Sequence, residues 1–129
     1  MIYHGDEHKR KKTGGKKKPA HKKRKYYMGD YPTNTRVGER SVKVKRTRGG
    51  NRKYKLRSDK FANVYVPDEK KVVRVEILRL EDNPAGAYLK RRGIITKGAI
   101  IETEMGLARV TNRPGQEAQI NAVLIQKKE

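Results

Sequence analysis

Val42-Lys43-Val44-Lys45-Arg46-Thr47-Arg48-Gly49-Gly50-Asn51-Arg52-Lys53-Tyr54-Lys55-Leu56-Arg57 is the stretch on which the fold turns. Apolar and basic residues alternate from Val42 to Lys45, and the alternation resumes from Tyr54 to Arg57. A period of two marks a strand with one buried face. Between the runs, Arg48-Gly49-Gly50-Asn51 reads as a tight turn, because Gly-Gly admits the positive φ that hairpin turns require. The segment is expected to be a β-hairpin with an apolar inner face and a basic outer face.

Downstream the same pattern recurs. Ala62 to Val66 reads as a strand closed by the turn Pro67-Asp68-Glu69-Lys70. From Lys71 to Leu80, Val73, Val75 and Ile77 share one parity and Leu78 and Leu80 the other, so a bulge or a change of neighbour is expected near Ile77. Asn83-Pro84 offers an N-cap with proline at the first helical position, and Gly93 offers a stop. One short helix is expected between them, holding Ala85, Ala87, Tyr88 and Leu89, with Lys90-Arg91-Arg92 in its last turn. Ile94-Ile95, Ala99 to Ile101, Leu107 to Thr111 and Ile120 to Ile125 follow as short apolar runs. Thr96-Lys97-Gly98, Glu104-Met105-Gly106 and Arg113-Pro114-Gly115-Gln116 read as the turns between them. The expectation is an all-β chain: a small six-stranded barrel-like domain with one short helix and a long basic N-terminal extension.

Charge and apolar surface lie in different places. The 129 residues have a formal net charge of +20. Residues 1–36 hold 12 basic and 3 acidic side chains, a net of +9, and Ile2 is their only large aliphatic or Phe. Residues 37–60 hold 10 basic and 2 acidic, a net of +8. Residues 61–129 hold 12 basic and 9 acidic, a net of +3, and contain 20 of the 25 Leu, Ile, Val and Phe residues. Ordering a residue costs roughly 1–2 kcal/mol of backbone entropy, which apolar burial must offset. Residues 1–36 have almost nothing to bury, so they are expected to form a basic arm, disordered when free, with 37–129 as the barrel-like domain.

Absences narrow the function classes. The chain has no Cys and no Trp, so disulfides, thiolate-held metal and a Cys nucleophile are excluded. No apolar run approaches the ~20 residues of a membrane helix, and the first residues lack the apolar core of a secretory signal. All three histidines, His4, His8 and His21, fall in the arm. His4 and His8 are four residues apart, but Gly5 weakens any helix that would hold a metal between them. Glu102 and Glu104 share a strand parity, which more often marks an exposed sheet face than a catalytic pair. A soluble intracellular protein with a polyanionic partner is expected.

The basic constellations point to nucleic acid. Residues 9–25 hold 11 Lys or Arg in 17 positions and no acid. A solvated face normally mixes signs; this density of one sign needs a partner that neutralises it. Gly14-Gly15 and Pro19 break any continuous helix, so an extended arm among phosphates is expected. Candidate contacts there are Arg10, Lys11, Lys12, Thr13, Gly14, Gly15, Lys16, Lys17, Lys18, Lys22, Lys23, Arg24 and Lys25. In the hairpin they are Arg46, Arg48, Gly49, Gly50, Asn51, Arg52 and Lys53. Guanidinium forks suit phosphate or a guanine edge, and the glycines let backbone N–H groups approach an anion. The spacing is not a P-loop, since no Gly-Lys-Ser/Thr follows. Arg91 and Arg92 complete the set. Tyr26, Tyr27 and Tyr31 suit either base stacking or anchoring of the arm. Tyr54, Tyr65 and Tyr88 are expected to be packing residues.

Four runs resemble the small-subunit ribosomal proteins of the archaeal and eukaryotic S-eight-e family, in their short archaeal form. They are Lys12-Thr13-Gly14-Gly15 with Lys22-Lys23-Arg24-Lys25 and Gly29; Arg46 to Lys53; Asn83-Pro84-Ala85 with Arg91 to Ala99; and Ala108 to Thr111 with Arg113 to Gln116 and Asn121 to Ile125. Asp6, Glu7 and Asp30 depart from the family pattern. The resemblance implies a β-barrel-like body, an N-terminal extension buried in ribosomal RNA, no enzymatic activity and no cofactor. It implies as partners small-subunit ribosomal RNA and neighbouring ribosomal proteins, with no membrane and no small-molecule substrate, and a cytoplasmic location in the small ribosomal subunit. A ribosome-assembly factor on the same domain is the nearest alternative. An RNA-processing enzyme and a DNA-compacting protein are more distant ones.

Overall fold

The computed structural model describes residues 2–4, 9–18 and 21–127. Asp6, Glu7, His8 and Pro19 lie outside the described residues. Contacts divide the chain into two units, Met1–Pro32 and Thr33–Glu129.

In the first unit β1 (Ile2–Tyr3) pairs antiparallel with β2 (Met28–Gly29), Ile2 opposite Gly29. The His4 N–H donates to the Tyr27 carbonyl at 2.9 Å, at the end of a 3₁₀ turn over Lys25–Tyr27. A Cβ at Gly29 would meet the His4 imidazole, which packs against this glycine and would have to turn aside for any larger residue.

The second unit starts from the hairpin. β3 (Arg36–Val37) runs parallel to β5 (Arg52–Asp59), and β5 pairs antiparallel with β4 (Ser41–Arg46). Val42 faces Leu56 and Val44 faces Tyr54, the register that the alternation requires. Gly49 and Gly50 adopt φ of 78° and 80° at the tip, as the turn chemistry predicts. The apolar face is buried only at its base. Leu56 is fully buried in the core and Val42 packs against it, whereas Val44 and Tyr54 are 53% and 47% exposed. The outer half of the hairpin therefore stands clear of the core.

Only Lys60 separates β5 from β6 (Phe61–Val66), yet the two belong to different sheets. β7 (Lys71–Asp82), β8 (Ile100–Thr103), β9 (Gly106–Val110) and β10 (Asn121–Lys127) join β6 in a closed barrel of order β10-β6-β7-β8-β9. β10 closes it by lying parallel to β6 and antiparallel to β9. β7 pairs with β6 through Lys71–Glu76 and with β8 from Ile77 onward, with a register shift between Ile77 and Arg79. The parity switch at Ile77 is thus both a change of neighbour and a bulge. The barrel interior is filled by Val64, Val66, Val75, Ile77, Ile101, Val110, Ile120 and Leu124, with Ala62, Ala99, Ala108 and Ala122 where space is short.

Three expectations are corrected. Five strands close the barrel, not six; β4 and β5, whose alternation is indistinguishable from that of a barrel strand, form a separate sheet with β3. Two short helices are present rather than one: α1 (Ala87–Arg91) and α2 (Pro114–Glu117). In α2 the run read as a turn becomes one helical turn, with Pro114 at its start and Ala118 at φ 57° closing it by an N–H bond to the Pro114 carbonyl. Asn83 does not cap α1, whose N-cap is Gly86. Asn83 is buried instead. Its Nδ2 donates to the Ile94 carbonyl at 2.7 Å, and its Oδ1 accepts from the Ala85 N–H and the Thr96 hydroxyl at 3.1 and 3.0 Å. Gly93 does end the helix, at φ 63°, with the Ile94 N–H reaching the Leu89 carbonyl at 2.9 Å. Ile94 and Ile95 are buried but form no strand; the Ile95 N–H bonds the carbonyl of Thr35, whose hydroxyl bonds the Leu56 carbonyl.

Candidate nucleic-acid interface

Residues 9–17 fold back on themselves. Arg10 and Lys16 form an antiparallel bridge, the Lys17 N–H donates to the Lys9 carbonyl at 3.0 Å, and the Lys11 N–H donates to the Gly15 carbonyl at 2.8 Å. Lys12-Thr13-Gly14 is the loop, with the Gly14 N–H on the Lys11 carbonyl and Gly14 at φ 85°. A three-residue hairpin loop with glycine in the left-handed region is a common solution to this geometry. The Arg10 guanidinium donates to the Gly14 carbonyl at 2.9 Å, bracing the loop. Lys9, Arg10, Lys11, Lys12, Lys16, Lys17 and Lys18 are all exposed on this small hairpin, and no acid lies among residues 9–18. The fully extended arm of the sequence reading is thus replaced over 9–17 by a tight basic loop.

Lys22, Lys23, Arg24 and Lys25 follow as an exposed run leading into the 3₁₀ turn. Tyr27 is the centre of an aromatic cluster, with ring centroids 5.9 Å from Tyr3, 4.5 Å from Tyr26 and 5.8 Å from His21. The Lys23 ammonium lies 5.5 Å from the Tyr3 ring, within cation–π range. Tyr27 thus anchors the first unit internally, while Tyr26 and Tyr31 stay largely exposed.

In the second unit the β4–β5 tip gathers Arg46, Arg48, Gly49, Gly50, Asn51, Arg52 and Lys53, all exposed. The Thr47 N–H closes it on the Asn51 carbonyl at 2.7 Å, and the Asn51 amide bonds back to the Arg48 carbonyl at 3.4 Å. Arg46 stands directly opposite Arg52, and Lys45 opposite Lys53. Arg91 and Arg92 are not on this hairpin; they are exposed at the end of α1. Arg46, Arg48, Arg52, Lys53, Arg91 and Arg92 have no ion-pair partner among the described residues. The expectation of packing roles for Tyr54, Tyr65 and Tyr88 fails: all three are exposed, Tyr88 by 62%.

Acids, by contrast, are engaged elsewhere. Glu102 binds Arg79 at 2.6 Å, and its hydrogen bond and charge raise the Arg79 pKa above its ordinary value. Glu104 sits in the exposed turn beyond β8, so it does not share a strand face with Glu102. Lys90 holds Asp82 at 3.2 Å; its hydrogen bond, then the Asn83 N–H, lower the Asp82 pKa. Arg40 pairs with the buried Asp59 and bonds the Ala118 carbonyl at 3.3 Å.

Sequence reasoning passed over Lys43, Lys45 and Lys55. The register sets Lys43 opposite Lys55 and Lys45 opposite Lys53, so four lysines share one face of the hairpin. The signal was present in the alternation itself, which puts every second residue on that face.

Comparison with known proteins identifies relatives of the whole chain. The family model described as Ribosomal protein S8e matches residues 4–125. The small ribosomal subunit protein eS8 of Hyperthermus butylicus is 53% identical over 129 residues, covering 98% of this chain and 94% of its own length. That of Ignicoccus hospitalis is 54% identical over 129 residues, covering 98% of each. That of Sulfolobus acidocaldarius is 44% identical over 128 residues, covering 98% of this chain and 100% of its own length. With most of each unit inside the matched span, the chain belongs to the ribosomal protein S8e family.

Proposed function

We propose that the protein is a structural constituent of the small ribosomal subunit, in the cytoplasm, and that it holds ribosomal RNA through two basic hairpins. One is the loop of residues 9–18 with Lys22, Lys23, Arg24 and Lys25 following it; the other is the β4–β5 hairpin with its tip at Arg46–Lys53. Arg91 and Arg92 add cations at the end of α1. The observation that supports this most is the hairpin tip, where Arg46 stands directly opposite Arg52, both exposed and neither with an ion-pair partner among the described residues. Such a pair costs stability in the free protein and becomes favourable beside phosphates, whose displaced counterions supply the driving force. Residues 9–18 and 21–25, dense in cations and poor in apolar side chains, are held in place in the particle by the phosphates that they neutralise. Specificity comes from RNA shape and from unpaired nucleotides, because side chains do not read the deep A-form major groove. The output is binding to RNA and to neighbouring ribosomal proteins, not turnover.

Sedimentation of a cell extract on a sucrose gradient tests this. The protein is expected with mature small subunits and with translating ribosomes. Confinement to precursor particles would overturn the reading in favour of an assembly factor.

A further inference from the structure

We infer that a cleft on the outer face of the barrel, beside β5, takes one unstacked nucleotide of the RNA; this rests on the RNA-binding reading above. The cleft has a volume of about 420 Å³ and is lined by Arg40, Asp59, Phe61, Asn63, Arg74 and Gln119, among others. That volume lies within the roughly 300–1,000 Å³ typical of small-ligand sites. None of the exposed cations of the two basic hairpins lines the cleft, and Asp59 joins it only from the far end of β5, so it is a separate site.

Its chemistry matches a nucleotide part by part. Phe61 is the only phenylalanine in the chain and is 40% exposed. The Arg74 guanidinium lies over its ring, 4.5 Å from the centroid. A ring layered with a guanidinium is a stacking platform, and unpaired RNA bases stack on both kinds of surface. Beside the platform runs a row of amides. Asn63 is opposite Arg74 on β7 and opposite Asn121 on β10, and its Nδ2 donates to the Asn121 Oδ1 at 3.1 Å. That bond fixes the Asn63 amide, whose Oδ1 remains without a partner among the described residues, an acceptor in the cleft for a base edge or a ribose hydroxyl.

The cleft's carboxylate does not repel a phosphate strongly. Asp59 is buried, with one oxygen on Arg40 and the other accepting the Phe61 N–H at 3.2 Å. It pairs with Arg40, whose side chain remains 54% exposed. Two guanidinium groups against one engaged carboxylate leave the lining net positive, the sign a phosphodiester requires.

The test uses the full chain bound to purified small-subunit ribosomal RNA, with base and ribose reactivity probed at every nucleotide. The variants are Phe61→Leu, Phe61→Tyr and Arg74→Gln. Each of these side chains is exposed, and thermal melting checks that folding is intact. Wild type is expected to protect one unpaired nucleotide. Phe61→Leu and Arg74→Gln are expected to release that position and to weaken binding at least 5-fold, the low end for loss of a stacking platform. Phe61→Tyr restores both, and Phe61→Leu leaves the salt dependence unchanged. If Phe61→Leu binds as tightly as wild type with identical reactivities, while wild-type binding stays salt-dependent, the cleft is no nucleotide site although the RNA-binding reading stands. Failure of the wild-type chain to bind the RNA overturns the RNA-binding reading itself, and the cleft assignment with it.

Discussion

Reversing one charge at the hairpin tip is expected to move stability and RNA binding in opposite directions. Arg46 and Arg52 face each other at the last pair of the β4–β5 ladder, both exposed and neither with an ion-pair partner among the described residues. In Arg52→Glu the pair becomes attractive. Opposite charges directly across a strand pair contribute roughly 0.2–1 kcal/mol and like charges cost a similar amount, so the swing is about 1 kcal/mol. For a domain the size of the second unit that raises Tm by roughly 4–8 °C. The same substitution removes a phosphate contact and puts a carboxylate in its place. Log affinity for the RNA against log salt then becomes shallower by about 1, and affinity at low salt falls. Melting of the free protein by circular dichroism and filter binding over a salt series measure the two effects. Repeating the melt at about 1 M salt, where the Debye length is near 3 Å, should erase the stability gain. If Arg52→Glu lowers Tm at low salt, or leaves the RNA slope unchanged, the claim that the register is held against its own repulsion for the sake of the RNA is refuted.

Two further predictions concern the body. Asn83→Ala removes three hydrogen bonds that tie the α1 loop together and strands the buried Ile94 carbonyl; a loss of roughly 2–4 kcal/mol is expected, read as a lower urea midpoint, and a shift under about 0.5 kcal/mol would contradict the role given to Asn83. Asp82 is held below its ordinary value of 3.8, chiefly by the Lys90 hydrogen bond. Because its pKa is lower folded than unfolded, its contribution is present above the unfolded value and is lost as pH falls through the folded one. The Tm gap between wild type and Asp82→Asn should therefore be present at neutral pH and close on acidification; a gap independent of pH would count against the pairing.

What the sequence made readable was local. The Val42–Leu56 register, the positive φ of Gly49 and Gly50, the Gly93 helix stop and the switch at Ile77 each follow from a few adjacent residues. What it hid depends on distant partners. Alternation in β5 and β6 looks the same, yet a single residue, Lys60, carries the chain from one sheet to another, so strand counting overstated the barrel. Parallel pairing of Asn121 with Asn63 joins segments 58 residues apart, and no local pattern announces it. Asn83 before Pro84 is a sound capping signal, but the buried carbonyl of Ile94 and the hydroxyl of Thr96 compete for its amide and win. At the candidate interface the cations themselves were evident from composition. Their opposition across the ladder, and the Phe61–Arg74 platform, required the register.

The central claim is that this chain binds RNA mainly by neutralising phosphates. The most direct measurement is the affinity of the intact protein for small-subunit ribosomal RNA from about 50 to 400 mM salt. With about eight phosphates neutralised by the residue 9–25 cations and the hairpin tip, the slope of log affinity against log salt is expected near −6. A slope near zero, with tight binding retained at high salt, would contradict the account.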